Sequence, residues 1–88
     1  MKKTLIEYFE EFLGKEDKYT SVRAATQMFL ASELKEARIA AKVSITELSR
    51  LLGVSRPFVS NIEAGRVGIP PKLLPKLKKI KWLNQTEI

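Results

Sequence analysis

Residues 44–65 read SITELSRLLGVSRPFVSNIEAG, and this stretch decides the fold. Ser44 and Glu47 have the Ser-x-x-Glu spacing of a capping box, in which each side chain accepts a hydrogen bond from a backbone N–H that a helix start leaves without a partner. Leucines follow at helical spacing, and Gly53 supplies a residue type that commonly ends helices. The first half of the stretch therefore predicts a short helix over residues 45–52.

A second short helix is predicted directly after the turn at residues 53–55. Ser55 is a suitable N-cap residue. Pro57 fits in the first helical turn, because the N–H that proline lacks would have no helical partner there. The second helix is expected over residues 56–64. Two short helices joined by a tight turn that contains glycine form a helix-turn-helix, here over residues 44–64.

Three further helices are predicted around this pair, at about residues 5–13, 20–41 and 72–83. Pro75 is accommodated if the last helix begins at Lys72 or nearer Leu74. No segment alternates as a strand would, so the chain is predicted to be all-α with about five helices. The side chains expected in the core are Leu5, Phe9, Phe12, Leu13, Met28, Phe29, Leu30, Leu34, Ala37, Ala41, Leu48, Leu51, Leu52, Val59, Ile62, Leu73 or Leu74, Leu77, Ile80, and Trp82 or Leu83.

The positive charge is unevenly distributed along the 88 residues. The whole chain carries a formal charge of +6. Residues 1–19 hold four basic and five acidic residues, whereas residues 20–88 hold twelve basic and five acidic residues. The excess therefore lies with the helix-turn-helix. It is compatible with attraction to nucleic acid and equally with a lysine-rich surface that keeps a small protein in solution.

The composition excludes several classes of enzyme. The chain has neither histidine nor cysteine, which removes Ser–His–Asp, Cys–His and zinc-hydrolase chemistries. A carboxylate- or lysine-based enzyme is formally possible, but no catalytic constellation appears in the sequence. We therefore expect no enzymatic activity, no metal and no cofactor.

The sequence also argues against a membrane location. No segment approaches the ~20 consecutive apolar residues that a spanning helix needs. Lys2 and Lys3 imitate the start of a signal peptide, but Glu7, Glu10 and Glu11 interrupt the part that should be apolar. We expect a cytoplasmic protein.

Residues 34–65 resemble the lambda-repressor/Cro-like helix-turn-helix family, often called XRE-type regulators. The matching positions are Arg38, Ser44, Glu47, Leu48, residues 53–55, Val59, Ile62, Glu63, Gly65, Pro70 and the Leu-Leu-Pro at residues 73–75. The resemblance covers about residues 30–83. It implies a lambda-repressor-like domain over residues 20–88, preceded by a helical extension over residues 1–19.

The resemblance implies that residues 56–64 are a recognition helix whose N-terminal residues enter the DNA major groove. Arg56 is then expected to pair with guanine O6 and N7, or to contact phosphate alone. Asn61 is expected to pair with adenine or bind phosphate, and Ser60 to donate to either. Phe58 is expected to touch a thymine methyl or to pack against the N-terminal helix.

Phosphate contacts are expected around both helix starts. Caps at Ser44 and Ser55 place backbone N–H groups and the positive helix ends towards the DNA backbone. The family commonly has glutamine at the position of Ile45, where it contacts phosphate; isoleucine cannot make this contact. The full set of predicted DNA-binding residues is Ser44, Ser55, Arg56, Pro57, Phe58, Ser60, Asn61, Arg66 and Lys72.

Two charged residues are predicted to be structural rather than DNA-binding. In similar proteins, an arginine and a glutamate at the positions of Arg38 and Glu63 pair between the helix ahead of the motif and the end of the recognition helix. We therefore expect an ion pair here, with a role in stability.

The resemblance implies a symmetric dimer on a palindromic site. Two surfaces are candidates for the dimer contact: the C-terminal helix with Trp82, and the N-terminal helix with Leu5, Phe9 and Phe12. The N-terminal helix has an alternative role in covering the core of its own chain. The expected function is a sequence-specific transcriptional regulator, for which a repressor is favoured over an activator. The alternatives are an antitoxin that binds a toxin and represses its own operon, and a protein-binding adaptor that reads no DNA.

Overall fold

The computed structural model describes the backbone of residues 3–13 and 20–87 and the side chains of residues 3–12 and 27–87. Within these ranges the α-helices are α1 (Leu5–Leu13), α2 (Thr20–Ala40), α3 (Ile45–Leu52), α4 (Arg56–Glu63), α5 (Leu74–Lys78) and α6 (Lys81–Asn84), with a 3-10 helix over Pro71–Leu73. The all-α prediction is confirmed. The predicted domain boundary after residue 19 lies outside the described residues.

The predicted helix starts form through side-chain caps. At the start of α1, Glu7 N–H donates to Thr4 Oγ1 at 3.3 Å, and Thr4 N–H donates to Glu7 Oε1 at 3.2 Å, which completes a capping box. At the start of α3, Glu47 N–H donates to Ser44 Oγ at 3.0 Å. The Glu47 carboxylate accepts a hydrogen bond from Arg50 Nη2 at 2.9 Å, so it is directed towards the next turn of α3.

One hydrophobic core joins the helices of the described part. Helix α1 packs against α2, α5 and α6, and it contributes Leu5, Ile6 and Phe9 to the same core as the helix-turn-helix. Its N-terminus is tied to the end of the chain, where Leu5 N–H donates to Thr86 C=O at 2.8 Å and Thr4 forms an isolated bridge with Glu87. In this part of the chain, no helix has the length and apolar character needed to cross a bilayer.

Four of the predicted core residues are wrong: Phe12, Met28, Phe29 and Leu51 are exposed. Successive residues of a helix are about 100° apart around its axis. On α3 the buried residues Leu48, Ser49 and Leu52 fix the inner face, and Leu51 lies about 110° from its centre, which turns this side chain outward. Met28 and Phe29 likewise lie well over 100° from the stripe of α2 that Leu30 begins.

The remaining core predictions are mostly confirmed. The fully or nearly buried ones are Leu5, Phe9, Leu30, Leu34, Ala37, Leu48, Leu52, Val59, Ile62, Leu73, Leu77, Ile80 and Leu83. Ala41, Leu74 and Trp82 are half-buried, and the side chain of Leu13 lies outside the described residues.

The prediction of one continuous C-terminal helix is wrong. Pro75 lies in the first turn of α5, which therefore begins at Leu74 rather than at Lys72. Ile80 adopts an extended backbone (φ −83°, ψ 112°) and separates α5 from α6. Asn84 Nδ2 donates to the carbonyl groups of Lys78 and Ile80, so this side chain bridges the break.

Candidate nucleic-acid interface

The turn between α3 and α4 has a defined geometry. Gly53 adopts the left-handed conformation (φ 68°), and its N–H points at the carbonyl groups of Ser49 and Arg50. Val54 N–H donates to Ser49 C=O at 3.0 Å. From α5, Lys76 Nζ reaches the C-terminal end of α3 and donates a hydrogen bond to Leu52 C=O at 3.2 Å. These bonds fix where α4 starts relative to α3.

Helix α4 has an inner and an outer face. The inner face carries Val59, Ile62 and Glu63, all buried, and packs against α2 and α3. The outer face carries Arg56, Pro57, Ser60 and Ala64, which are exposed, and the half-buried Asn61 lies at its edge. Five positions of α4 and its cap are therefore available to a ligand on the side that faces away from the core.

The start of α4 offers few backbone donors. Phe58 N–H donates to Ser55 Oγ at 3.3 Å, as the predicted N-cap requires, and Pro57 has no N–H. Of the first helical positions, Arg56 N–H points out of the helix without an intrahelical acceptor. An anion at this helix start would meet that N–H and the Arg56 guanidinium.

The start of α3 is richer in backbone donors. Ser44 is exposed and caps Glu47, while the N–H groups of Ile45 and Thr46 precede the first intrahelical bond, which Leu48 N–H makes to Ser44 C=O. The side chain of Ile45 is half-buried against the core. Its apolar character thus serves packing, and contacts from this helix start fall to the backbone.

Asn61 and Arg66 are brought together at the end of α4. Arg66 Nη1 donates to Asn61 Oδ1 at 3.3 Å, and Arg66 N–H donates to Asn61 C=O at 2.9 Å. Gly65 adopts the left-handed conformation (φ 75°), which turns the chain back over the helix end. Two predicted DNA-binding residues therefore form one cluster.

The loop after α4 is held from α2. Gln27 Oε1 accepts a hydrogen bond from Ile69 N–H at 3.0 Å, and Ile69 is buried. Lys72 lies exposed in the 3-10 helix that follows. Arg56, Arg66 and Lys72 thus present exposed cations on and after α4.

Arg38 and Glu63 form an ion pair with two hydrogen bonds. Arg38 Nε donates to Glu63 Oε2 at 2.8 Å and Nη2 donates to Oε1 at 3.0 Å. Arg38 Nη1 also donates to Val43 C=O at 2.8 Å. The side chains are 10% and 4% exposed, respectively, so the pair links α2, the loop before α3, and α4 inside the protein.

Phe58 does not lie freely on the outer face. It is half-buried and packs against the core. Its aromatic ring therefore contributes to holding α4, and only part of it is accessible.

The structure changes the expectation for a dimer surface on α1. Leu5 and Phe9 are fully buried in the core of their own chain, so they are not available to a partner. Phe12 is 39% exposed and lies near Tyr8, with ring centroids 6.2 Å apart. Tyr8 also contacts the exposed Phe29 of α2 edge-on at 6.0 Å. Tyr8, Phe12 and Phe29 thus form an accessible aromatic cluster between α1 and α2.

Charges beside the aromatic cluster are paired. Lys3 Nζ lies 2.6 Å from Glu11 Oε2 and 5.4 Å from the centre of the Tyr8 ring. The hydrogen bond and charge of Glu11 raise the pKa of the Lys3 ammonium. Among the described residues, no three acidic side chains come close enough together to hold a metal ion.

Two residues that position α4 carry no signal in the sequence. Lys76 and Gln27 hold the turn and the loop that flank α4, through partners 24 and 42 residues away. No local spacing signals such contacts, because they depend on how distant helices pack.

The family comparison agrees with this geometry. Residues 30–77 match the model of a helix-turn-helix domain family, which is more than half of the chain. The chain belongs to this family. Neither a curated protein nor a solved structure matches the chain. The predicted helix-turn-helix is thereby confirmed, and with it a domain typical of DNA-binding regulators.

Proposed function

We propose that this helix-turn-helix protein is a sequence-specific transcriptional repressor that acts in the cytoplasm by inserting the outer face of α4 into the DNA major groove. The observation that carries the proposal is the division of α4. Its inner face is fixed by the core and a buried ion pair, whereas the outer face leaves Arg56, Ser60 and Asn61 accessible. A recognition helix needs both properties.

Each exposed group has a chemical role in this proposal. Arg56 donates to guanine O6 and N7, and Ser60, one turn later, donates to a base or a phosphate. Pro57 brings the backbone of the helix start close to the DNA. The free backbone N–H groups at the helix starts that Ser44 and Ser55 cap bind phosphates, together with Arg66 and Lys72. These contacts set the register of the protein on the DNA.

The proposed regulatory effect is repression. Occupation of a promoter by a bound protein is by itself enough to block polymerase, which is why we propose repression. One copy presents a small interface, so we propose a homodimer on a palindromic site with half-sites about one helical turn, or ~34 Å, apart. The half-buried Trp82 on α6 is the proposed dimer contact, because Leu5 and Phe9 are inaccessible.

The test is binding of DNA selected from a random pool, with a footprint measured in excess non-specific competitor. The proposal expects a symmetric protected site and two protein copies per site by mass. A footprint that disappears in competitor would contradict sequence-specific binding and support a protein-binding adaptor.

A second candidate function is an antitoxin. The aromatic cluster of Tyr8, Phe12 and Phe29 favours it, because accessible aromatic side chains are enriched at protein interfaces. The test is co-purification with the product of a neighbouring gene. If Phe12→Ser abolishes binding of the neighbouring gene product and retains DNA binding, the antitoxin is supported. If no neighbouring gene product binds, the antitoxin is contradicted and the repressor remains the proposed function.

A further inference from the structure

We infer that Asn61 and Arg66 read DNA as one unit, in which Arg66 orients the Asn61 amide so that it selects guanine over adenine. This inference rests on the proposed function, since it assigns a base preference to the outer face of α4. It departs from the expectation that Asn61 pairs with adenine.

The orientation of the amide follows from hydrogen-bond chemistry. Arginine carries N–H donors and no acceptor. The Asn61 atom that faces Arg66 Nη1 at 3.3 Å must therefore be the carbonyl oxygen, Oδ1. The two amide atoms diverge from one carbon, so Nδ2 and its two N–H groups point away from the guanidinium.

The pairing is built into the helix end. Gly65, with φ 75°, reverses the chain, Gly65 N–H donates to Ile62 C=O at 3.0 Å, and Arg66 N–H donates to Asn61 C=O at 2.9 Å. The loop that follows is anchored through the hydrogen bond of Ile69 to Gln27. The backbone of Arg66 is thus fixed next to Asn61 before any ligand binds.

The base edges differ in what they require from Asn61. Adenine presents the N7 acceptor and the N6 amino donor, so a bidentate contact needs both the amide N–H and the amide oxygen. Guanine presents two acceptors, N7 and O6, and needs donors alone. With Arg66 on Oδ1, the amide offers donors, and the guanidinium places positive N–H groups where the adenine amino group would enter.

Arg66 retains a second role in this arrangement. Arginine has five N–H donors, and the bond to Asn61 uses one of them. The others can bind a phosphate beside the base that Asn61 contacts. Loss of Arg66 is therefore expected to have two separable effects, a weaker salt-dependent affinity and a changed base preference.

The experiment is selection from a random DNA pool with the wild-type protein, Asn61→Ala and Arg66→Met. The base pair at which Asn61→Ala loses its preference identifies the position that Asn61 reads. We expect the wild type to prefer guanine there. Arg66→Met frees Oδ1, so the ratio of adenine to guanine should rise by roughly tenfold, the scale of one bidentate contact.

Lys72→Met is the matched control, because it also removes one exposed cation after α4. It should weaken binding of all sequences and leave the base preference as in the wild type. The inference is overturned if Arg66→Met behaves like Lys72→Met, or if the wild type prefers adenine. If the wild type selects no sequence at all, the proposed function itself fails. Melting curves establish that each variant is folded.

Discussion

The inner and outer faces of α4 belong to eight consecutive residues but have opposite environments. On the inner face, Val59 and Glu63 are buried and have fixed partners; on the outer face, Arg56 and Ser60 are exposed. Different side chains of one helix therefore provide stability and base reading. A substitution on one face should therefore change one property and spare the other.

The largest effect on stability is expected from Glu63→Ala. It leaves the Arg38 guanidinium buried without its carboxylate, which typically lowers the free energy of unfolding by about 3–5 kcal/mol. This is a large fraction of the ~5–15 kcal/mol of a whole domain. Chemical denaturation measures the loss. The base preference of the folded protein should persist. An unchanged melting temperature with an altered base preference would refute the separation of roles between the inner and outer faces of α4.

An exposed ion pair provides the control for Glu63. Glu47 and Arg50 pair at 2.9 Å on α3, but their side chains are 45% and 76% exposed. Exposed pairs contribute about 0.3–0.5 kcal/mol on a helix, so Glu47→Ala should change the free energy of unfolding by no more than that. A comparable loss in the two variants would show that burial of the pair is not what matters.

The next effect concerns the turn that places α4. In Gly53→Ala, the alanine would have to keep the left-handed backbone conformation, and its Cβ would lie 2.5 Å from Lys76 Nζ. Lys76 would have to move away, so its hydrogen bond to Leu52 C=O would be lost. We expect a loss of about 1–3 kcal/mol in the free energy of unfolding.

Gly68→Ala is the control for the turn. Its Cβ would meet Gln27 at 3.5 Å, an ordinary contact, and its φ is not positive. We expect a change of less than ~0.5 kcal/mol, as for most surface substitutions. Equal destabilisation by Gly53→Ala and Gly68→Ala would show that the left-handed conformation at the turn has no special role in stability.

The smallest stability difference is expected between two serines of α4. Ser55→Ala removes the N-cap acceptor for Phe58 N–H and should lower the free energy of unfolding by about 1 kcal/mol. Ser60→Ala, on the outer face, should be neutral or slightly stabilising, because alanine is the better helix former. Thermal melting of both variants checks this. A larger loss for Ser60 would place it among the structural residues.

Much of the fold could be predicted from local signals. Ser44, Gly53 and Ser55 mark the ends of α3 and α4, because caps and left-handed glycines act within a few residues. The core could be predicted less well at Leu51, since hydrophobic character alone does not say which side of a short helix turns inward. The break at Ile80 carries no proline or glycine signal, and only its extended backbone in the structure reveals it.

The candidate site was predictable in its residue types but not in its pairings. The sequence places Asn61 and Arg66 near one helix end, yet the hydrogen bond between their side chains depends on the chain reversal at Gly65. The anchoring of the loop by Gln27 and of the turn by Lys76 depends on tertiary packing across 42 and 24 residues. Such contacts leave no local pattern.

The central claim is that the outer face of α4 reads bases, and Arg56→Ala tests it most directly. The measurement is the base preference of DNA selected from a random pool, compared with the wild type and with Arg50→Ala, which removes an exposed arginine of α3. We predict that Arg56→Ala loses the preference for guanine at one symmetric base pair, with the melting temperature and the preferences elsewhere unchanged. Uniform weakening of all sequences, with every base preference kept, would contradict base reading by Arg56.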